Sequence, residues 1–274
     1  SICTAFGTAG TGGFGIKNDS MASYSTYLQV VITVFMILFG VNFNAYFFII
    51  TKKFAQAFKM EEVRYYFGII GIAILIITCN IYHIFGSAAK AFQQAAFQVG
   101  SIITTTGYAT TDFAKWPMFS KSILMMLTVV GACASSTGGG IKVSRLLVGI
   151  KCIKREIVQL AHPKSVGIIR IGGKKVGSDI LRTIYIYFIA YVGILIVSVM
   201  LVSLDNFDFE TTFSAVLTTL GNVGPGMAKV GPMGNFADFS ILSKLVLCFD
   251  MLAGRLEIFP FLVLFTAPAW RRKF

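Results

Sequence analysis

The chain has 274 residues, 55% of them hydrophobic, 14% aromatic and only 13% charged, with a mean hydropathy of +0.76 and a formal net charge of +12. These values exclude an ordinary soluble domain, which is less apolar and carries more charge, and they place the chain in a membrane. The positive balance does not argue for nucleic acid, because a basic patch of that kind needs a soluble domain to carry it. Cys3, Cys79, Cys133, Cys152 and Cys248 lie far apart, with neither zinc-site spacing nor the density of a disulfide scaffold, and are expected to be reduced packing residues. The chain opens on Ser1 shortly before a glycine-rich loop and is expected to begin inside a longer protein.

In chain order, a glycine-rich loop comes first, AGTGGFG at residues 9–15. A charge-free run at residues 20–51 follows, longer than the roughly 20 residues that cross a hydrocarbon core of about 30 Å. Lys52, Lys53, Lys59 and Arg64 separate it from a second run at residues 65–89. The apolar stretch at residues 91–103 is too short to cross and ends in a second glycine loop, TTTGYATT at residues 104–111. A third span is expected at residues 122–141, its second half interrupted by ASSTGGGIKVSR at residues 134–145. Next comes a basic loop with Lys151, Lys154, Arg155, Lys164, Arg170, Lys174, Lys175 and Arg182. A fourth span at residues 183–204, a second short stretch at residues 209–220 and a third glycine loop, GNVGPG at residues 221–226, repeat the earlier order. The fifth span, about residues 239–270, is less clean, with Asp250, Arg255, Glu257 and Pro260 inside it, and Arg271, Arg272 and Lys273 close the chain.

This order predicts an all-α integral membrane fold of repeated units, each a span, a re-entrant pore helix, a filter loop and a span, around a central pore. Non-helical backbone at membrane depth is tolerated only where it lines a cavity or is buried in protein. With five spans, the basic segments after the first and third spans and at the end of the chain fall on one side, which the positive-inside rule makes cytoplasmic. All three glycine loops then face outside.

Aligning the loops on a central glycine sets Thr11, Gly12 and Gly13 against Thr105, Thr106 and Gly107 and against Asn222, Val223 and Gly224. Glycine suits that place, because turning successive carbonyls toward one axis needs backbone angles that a β-carbon resists. Residues 105–109, TTGYA, are close to the TVGYG loop whose carbonyls replace the hydration shell of potassium. With SSTGGGIK from Ser135 and GRLEIFP from Gly254, these segments make the whole chain resemble the Trk/Ktr/HKT potassium-transporter superfamily in its TrkH branch, from the second filter loop onward.

The resemblance implies four repeats in one polypeptide whose loops form a single filter, with potassium as the transported ion and no covalent cofactor. Residues 1–64 then hold the end of the second repeat, 65–160 the third, 161–182 a basic cytoplasmic loop and 183–274 the fourth; the first repeat is absent. The family's first filter position helps decide whether sodium also passes, so sodium stays open as a second ion. The resemblance also implies that Ser135 through Lys142, with Gly138, Gly139 and Gly140, form an intramembrane gate loop below the filter, and that Arg255 opposes it and raises the barrier to cations. It further implies a homodimer in the cytoplasmic membrane, surrounded by lipid, each protomer with its own pore and attached to a cytoplasmic nucleotide-binding ring such as TrkA. The alternative function is a secondary transporter of a monovalent cation working by alternating access, which would need discontinuous helices meeting at midplane.

A simple span would avoid both the charges and the glycines of the third one, since an intramembrane charge costs roughly 2.5 to 3.5 kcal/mol and each helical glycine about 1 kcal/mol. Lys142 has the plainer alternative of marking the end of that span. Arg255, on a continuous helix, would point about 140° to 160° away from Glu257 and Asp250, so it faces either a wet pore or a neighbouring helix, and the pore is the reading taken. Asp19, Asp112, Asp205, Asp208 and Asp238 lie near the loops, where they either draw cations to an outer mouth or are solvated loop acids. His83 and His162 lack the companions of a metal or catalytic site, GGGIKVS lacks the spacing of a phosphate-binding loop, and the GxGxxG at residues 10–15 has no strand before it. The chain is read as a non-enzyme.

Overall fold

A computed structural model of the chain describes residues 2–17, 19–163, 167–256 and 258–263. The expectations for Lys164, Glu257, Arg271, Arg272 and Lys273 lie outside the described residues. Among these residues, two helices are long and apolar enough to cross a membrane unaided, α5 (Glu61–Phe85) and α9 (Ser178–Val202). Each buries one stripe and leaves an apolar face outside. In α5 the buried set includes Tyr66, Ile70, Ala73, Ile77 and Ile81 at helical spacing, while Ile72 and Leu75 are exposed. In α9, Ile189, Val192, Ile196 and Met200 are exposed. An outward face of that composition matches hydrocarbon as its solvent.

The other expected spans are broken. Residues 20–51 form α2 (Thr26–Phe39) and α3 (Phe43–Ile50), which meet at 92°. Gly40 closes α2, its N–H reaching back to Met36 and Leu38, and the Asn42 side chain caps α3 by accepting from the N–H of Asn44. A run without charges hides both signals. The third span stops sooner than expected, as α7 (Met118–Val130), because Gly131 takes a φ of 70°. Residues 131–142 are irregular, and helix resumes as α8 (Val143–Ala161). The fifth span divides into α11 (Ile241–Arg255) and α12 (Ile258–Val263), so Arg255 ends a helix instead of lying midway along one. Asp250 turns toward α9, where the Ser198 hydroxyl donates to it at 2.7 Å.

The short stretches form α6 (Ala88–Ile103) and α10 (Phe209–Leu220), and a helix the sequence reading did not single out, α1 (Ile2–Ala9), precedes the first glycine loop in the same way. The helix α4 (Phe54–Lys59) joins α3 to α5. One hydrophobic core surrounds α6 where it lies against α5 and α2, and others lie where α10 and α11 meet α9. The basic loop carries a small hairpin, β1 (Arg170–Ile171) and β2 (Lys174–Lys175), turning through Gly172 and Gly173 at φ 55° and 82°. The five cysteines are free, but only Cys133 and Cys152 are buried in packing; Cys3, Cys79 and Cys248 are exposed.

Candidate functional site

The three glycine loops have one backbone. In each, the helix ends four residues before the central glycine, and the residues two before it, Thr11, Thr105 and Asn222, take φ values of 50°, 58° and 58°. The glycines Gly13, Gly107 and Gly224 are left-handed as well, at 65°, 84° and 102°. The turn bonds repeat in register: the N–H of Gly12 reaches the carbonyl of Gly7 at 2.8 Å, that of Thr106 reaches Ser101 at 2.9 Å and that of Val223 reaches Thr218 at 2.9 Å. Two left-handed residues separated by one other swing the intervening carbonyls out of the helical path. Because α1, α6 and α10 all end at these loops, the negative ends of their dipoles, roughly half an elementary charge each, favour a cation there.

The loops are seated on one another in cyclic order. A β-carbon on Gly13 would lie 1.7 Å from the carbonyl oxygen of Thr106, and one on Gly107 would lie 2.1 Å from that of Val223. Gly13 and Gly107 therefore each abut the residue before the next loop's glycine. Tyr108, fully buried, reinforces the first contact by donating its hydroxyl to the Phe14 carbonyl at 3.3 Å. Gly13, Gly107 and Gly224 line a single opening of about 210 Å³. At Gly224 a β-carbon would meet no atom within 4 Å. That side of the arrangement borders a cavity of about 730 Å³, with Thr11, Gly12, Asn222 and Arg255 among its walls.

The irregular segment at residues 131–142 lies directly against the inner turns of these loops. The N–H of Gly139 donates to the Thr105 hydroxyl at 2.6 Å, and a β-carbon on Gly139 would lie 2.7 Å from the Gly221 carbonyl. The Thr11 hydroxyl donates to the Thr137 carbonyl at 2.9 Å. Asn222, the matching residue of the third loop, donates to the Met251 carbonyl on α11 at 3.1 Å. Each residue two before a central glycine thus ties its loop to the segment or to α11. Gly131 and Gly140 pack backbone to backbone, a β-carbon on Gly140 meeting the Gly131 α-carbon at 2.7 Å. Lys142, at φ 81°, turns the chain into α8 and donates to the carbonyl of Gly138.

Arg255 joins the two layers. Its guanidinium donates to the carbonyls of Gly10 at 3.1 Å and Thr137 at 3.0 Å and approaches the Thr11 hydroxyl at 3.4 Å. Among the described residues its partners are all neutral oxygens. It lines a cavity of about 460 Å³ shared with Ser135, Gly138, Gly140 and Lys142. All the residues expected in the filter and the gate therefore lie in two adjoining layers.

Several of the loop acids serve as caps. Asp112 accepts from the N–H of Ala114 and pairs with Lys115, Asp205 accepts from the N–H of Ser240, and Asp208 caps α10 through Thr211. No sequence motif singled out Glu62, which accepts from the N–H of Ala134 at 2.6 Å. Gly254, the first residue of the GRLEIFP motif, sits where a β-carbon would stand 2.0 Å from the Leu220 carbonyl. Nothing local marked Glu62, since its partners Ala134 and Asn42 are distant in sequence.

A family model described as TrkH, cation transport protein, matches residues 63–271. The Trk system potassium uptake protein TrkH of Salmonella typhimurium is 34% identical over 99% of this chain and 56% of its own length. The protein of the same name from Vibrio parahaemolyticus is 35% identical over 99% of this chain and 57% of its own length. Among solved structures, the crystal structure of the potassium transporter TrkH from Vibrio parahaemolyticus superposes with a TM-score of 0.90 at 35% identity, covering 98% of this chain and 58% of that one. The chain spans about half the length of the curated relatives it matches. Its long apolar helices and its fold are those of an integral membrane protein, and the chain belongs to the TrkH family of cation transport proteins.

Proposed function

We propose that this chain supplies three quarters of a potassium-conducting filter and its gate, and that the protein carrying it takes up potassium across the cytoplasmic membrane. The observation that supports this best is the cyclic seating of Gly13 on Thr106 and of Gly107 on Val223 around one opening. A ring of main-chain carbonyls of this kind replaces the hydration shell of a monovalent cation. The carbonyl-bearing residues are Thr11, Gly12 and Gly13, then Thr105, Thr106 and Gly107, then Asn222, Val223 and Gly224, and a fourth loop from the first repeat completes the ring at Gly224. Ser135 through Lys142, with Gly138, Gly139 and Gly140, close the inner end, and Arg255 adds a positive charge there. The filter faces outside and the basic hairpin faces the cytoplasm, where a nucleotide-binding ring docks on a homodimer in which each protomer has its own pore.

The test is rubidium-tracer uptake into proteoliposomes holding the protein expressed from its complete gene. Uptake near diffusion-limited rates that is lost on Gly107→Val supports the pore, and competition by sodium measures selectivity. Slow, saturable exchange would replace this reading with alternating access.

A further inference from the structure

Two adjacent carboxylates at the start of α5 hold different parts of the molecule. Glu61 accepts from Lys151 on α8 at 2.6 Å and from the N–H of Gly172, in the hairpin turn, at 3.2 Å. Lys151 also donates to the carbonyl of Arg170 at 2.7 Å, so Glu61, α8 and the hairpin are one tied unit. Glu62 faces the other way. Its Oε1 accepts from the N–H of Ala134 at 2.6 Å and its Oε2 from the side-chain amide of Asn42 at 2.9 Å.

Glu62 is only 7% exposed, and among the described residues no cation lies within ion-pair distance of it. Its place in the first turn of α5 puts it at the positive end of the helix dipole, and a charged acceptor makes hydrogen bonds roughly twice as strong as a neutral one. Two weaker bonds run beside it: the N–H of Cys133 donates to the Gly40 carbonyl at 3.1 Å, and the N–H of Phe43 to the Ser135 carbonyl at 3.0 Å. The arm at residues 133–135 is thereby fastened to the 92° bend between α2 and α3, with Glu62 as its charged tie.

We propose that Glu61 and Glu62 are positioning residues that couple the basic hairpin and α8 to the irregular segment at residues 131–142. This rests on the proposal that the segment is the gate. The two residues share one rigid helical turn, so a shift of Lys151 and Gly172 that draws Glu61 with it also moves Glu62 and the N–H of Ala134. The surface hairpin is the input and the arm of the gate is the output.

Cys133, fully buried in that arm, is a built-in reporter. In the protein expressed from its complete gene, with every other cysteine replaced, the labelling rate of Cys133 by a methanethiosulfonate reagent is measured alongside rubidium flux, and each rate is divided by the thiolate fraction read from its pH dependence, so that loss of the neighbouring Glu62 charge does not itself count as exposure. Glu62→Ala is expected to speed labelling about tenfold, as loss of a buried charged hydrogen bond would, and to raise basal flux. Glu61→Gln is expected to raise both by a smaller factor. The double variant is expected to match Glu62→Ala, because two ties in series do not add. Labelling of Glu62→Ala at the wild-type rate, or effects that multiply in the double variant, would overturn the coupling. Should Glu62→Ala not fold, Glu62→Gln, which keeps an acceptor for Ala134, takes its place in the same comparison with an intermediate rate expected. If labelling follows these expectations while the unaltered protein passes no rubidium, the coupling stands and the pore reading fails.

Discussion

The α-carbon of Gly13 faces the carbonyl of Thr106 so closely that a β-carbon would stand 1.7 Å from the oxygen, and Gly107 bears the same relation to Val223 at 2.1 Å. No side-chain motion relieves a clash between backbone atoms, so Gly13→Ala and Gly107→Ala are each expected to abolish rubidium uptake. Gly71→Ala in α5 is the control: its β-carbon would meet nothing within 4 Å, and uptake is expected to persist. Retained uptake in Gly13→Ala would mean that the loops do not form the conduction path.

Arg255→Ala removes the bonds to Gly10 and Thr137 and the positive charge between the layers. Basal flux without any activating partner is expected to rise. Arg255→Lys keeps the charge but not the fork that reaches two carbonyls, so it should give an intermediate flux. A folded Arg255→Ala protein with unchanged basal flux would assign the residue a structural role.

At the tip of the irregular segment, Gly139→Ala would place a β-carbon 2.7 Å from the Gly221 carbonyl. The tip would have to withdraw from the glycine loop at residues 221–226, stretching the Gly139 to Thr105 bond of 2.6 Å. The expected outcome is a raised leak with potassium preference over sodium preserved, since the loop carbonyls are untouched. A lowered flux would show that the tip does not obstruct the path.

Asp208 caps α10, its carboxylate accepting from the hydroxyl of Thr211 at 2.7 Å and the N–H of Thr211 at 2.9 Å. Those donors, the hydroxyl foremost, hold its pKa below the ordinary carboxylate value. A lowered folded-state pKa gives stability that is fully present above the unfolded value and is lost as pH falls through the folded one, so this contribution should fade only below about pH 4. Asp208→Ala is expected to cost about 1 kcal/mol, as for other N-caps, and to lower the thermal midpoint at neutral pH more than at pH near 3. Equal losses at both values would show that the cap bonds do not depend on the ionised form.

What the sequence determined by itself was whatever is signalled within a few residues. Charge-free length marked α5 and α9, clustered glycines marked the three loops and the interrupted third span, and the spacing of Gly13, Gly107 and Gly224 between spans marked the repeat. Glycine carries such information because at Gly13 and Gly107 a left-handed backbone coincides with a neighbouring carbonyl that leaves no room for a β-carbon. Tertiary structure alone decided the rest. The 92° bend at residues 40–42 lies inside a run without charges, and α11 ends at Arg255 where composition would let it continue. Glu62 meets the N–H of Ala134 across 72 residues of chain, and Arg255 meets Gly10 across 245. Such partners are chosen by how distant helices pack, and a buried carboxylate or guanidinium takes whichever hydrogen-bonding groups that packing brings within reach.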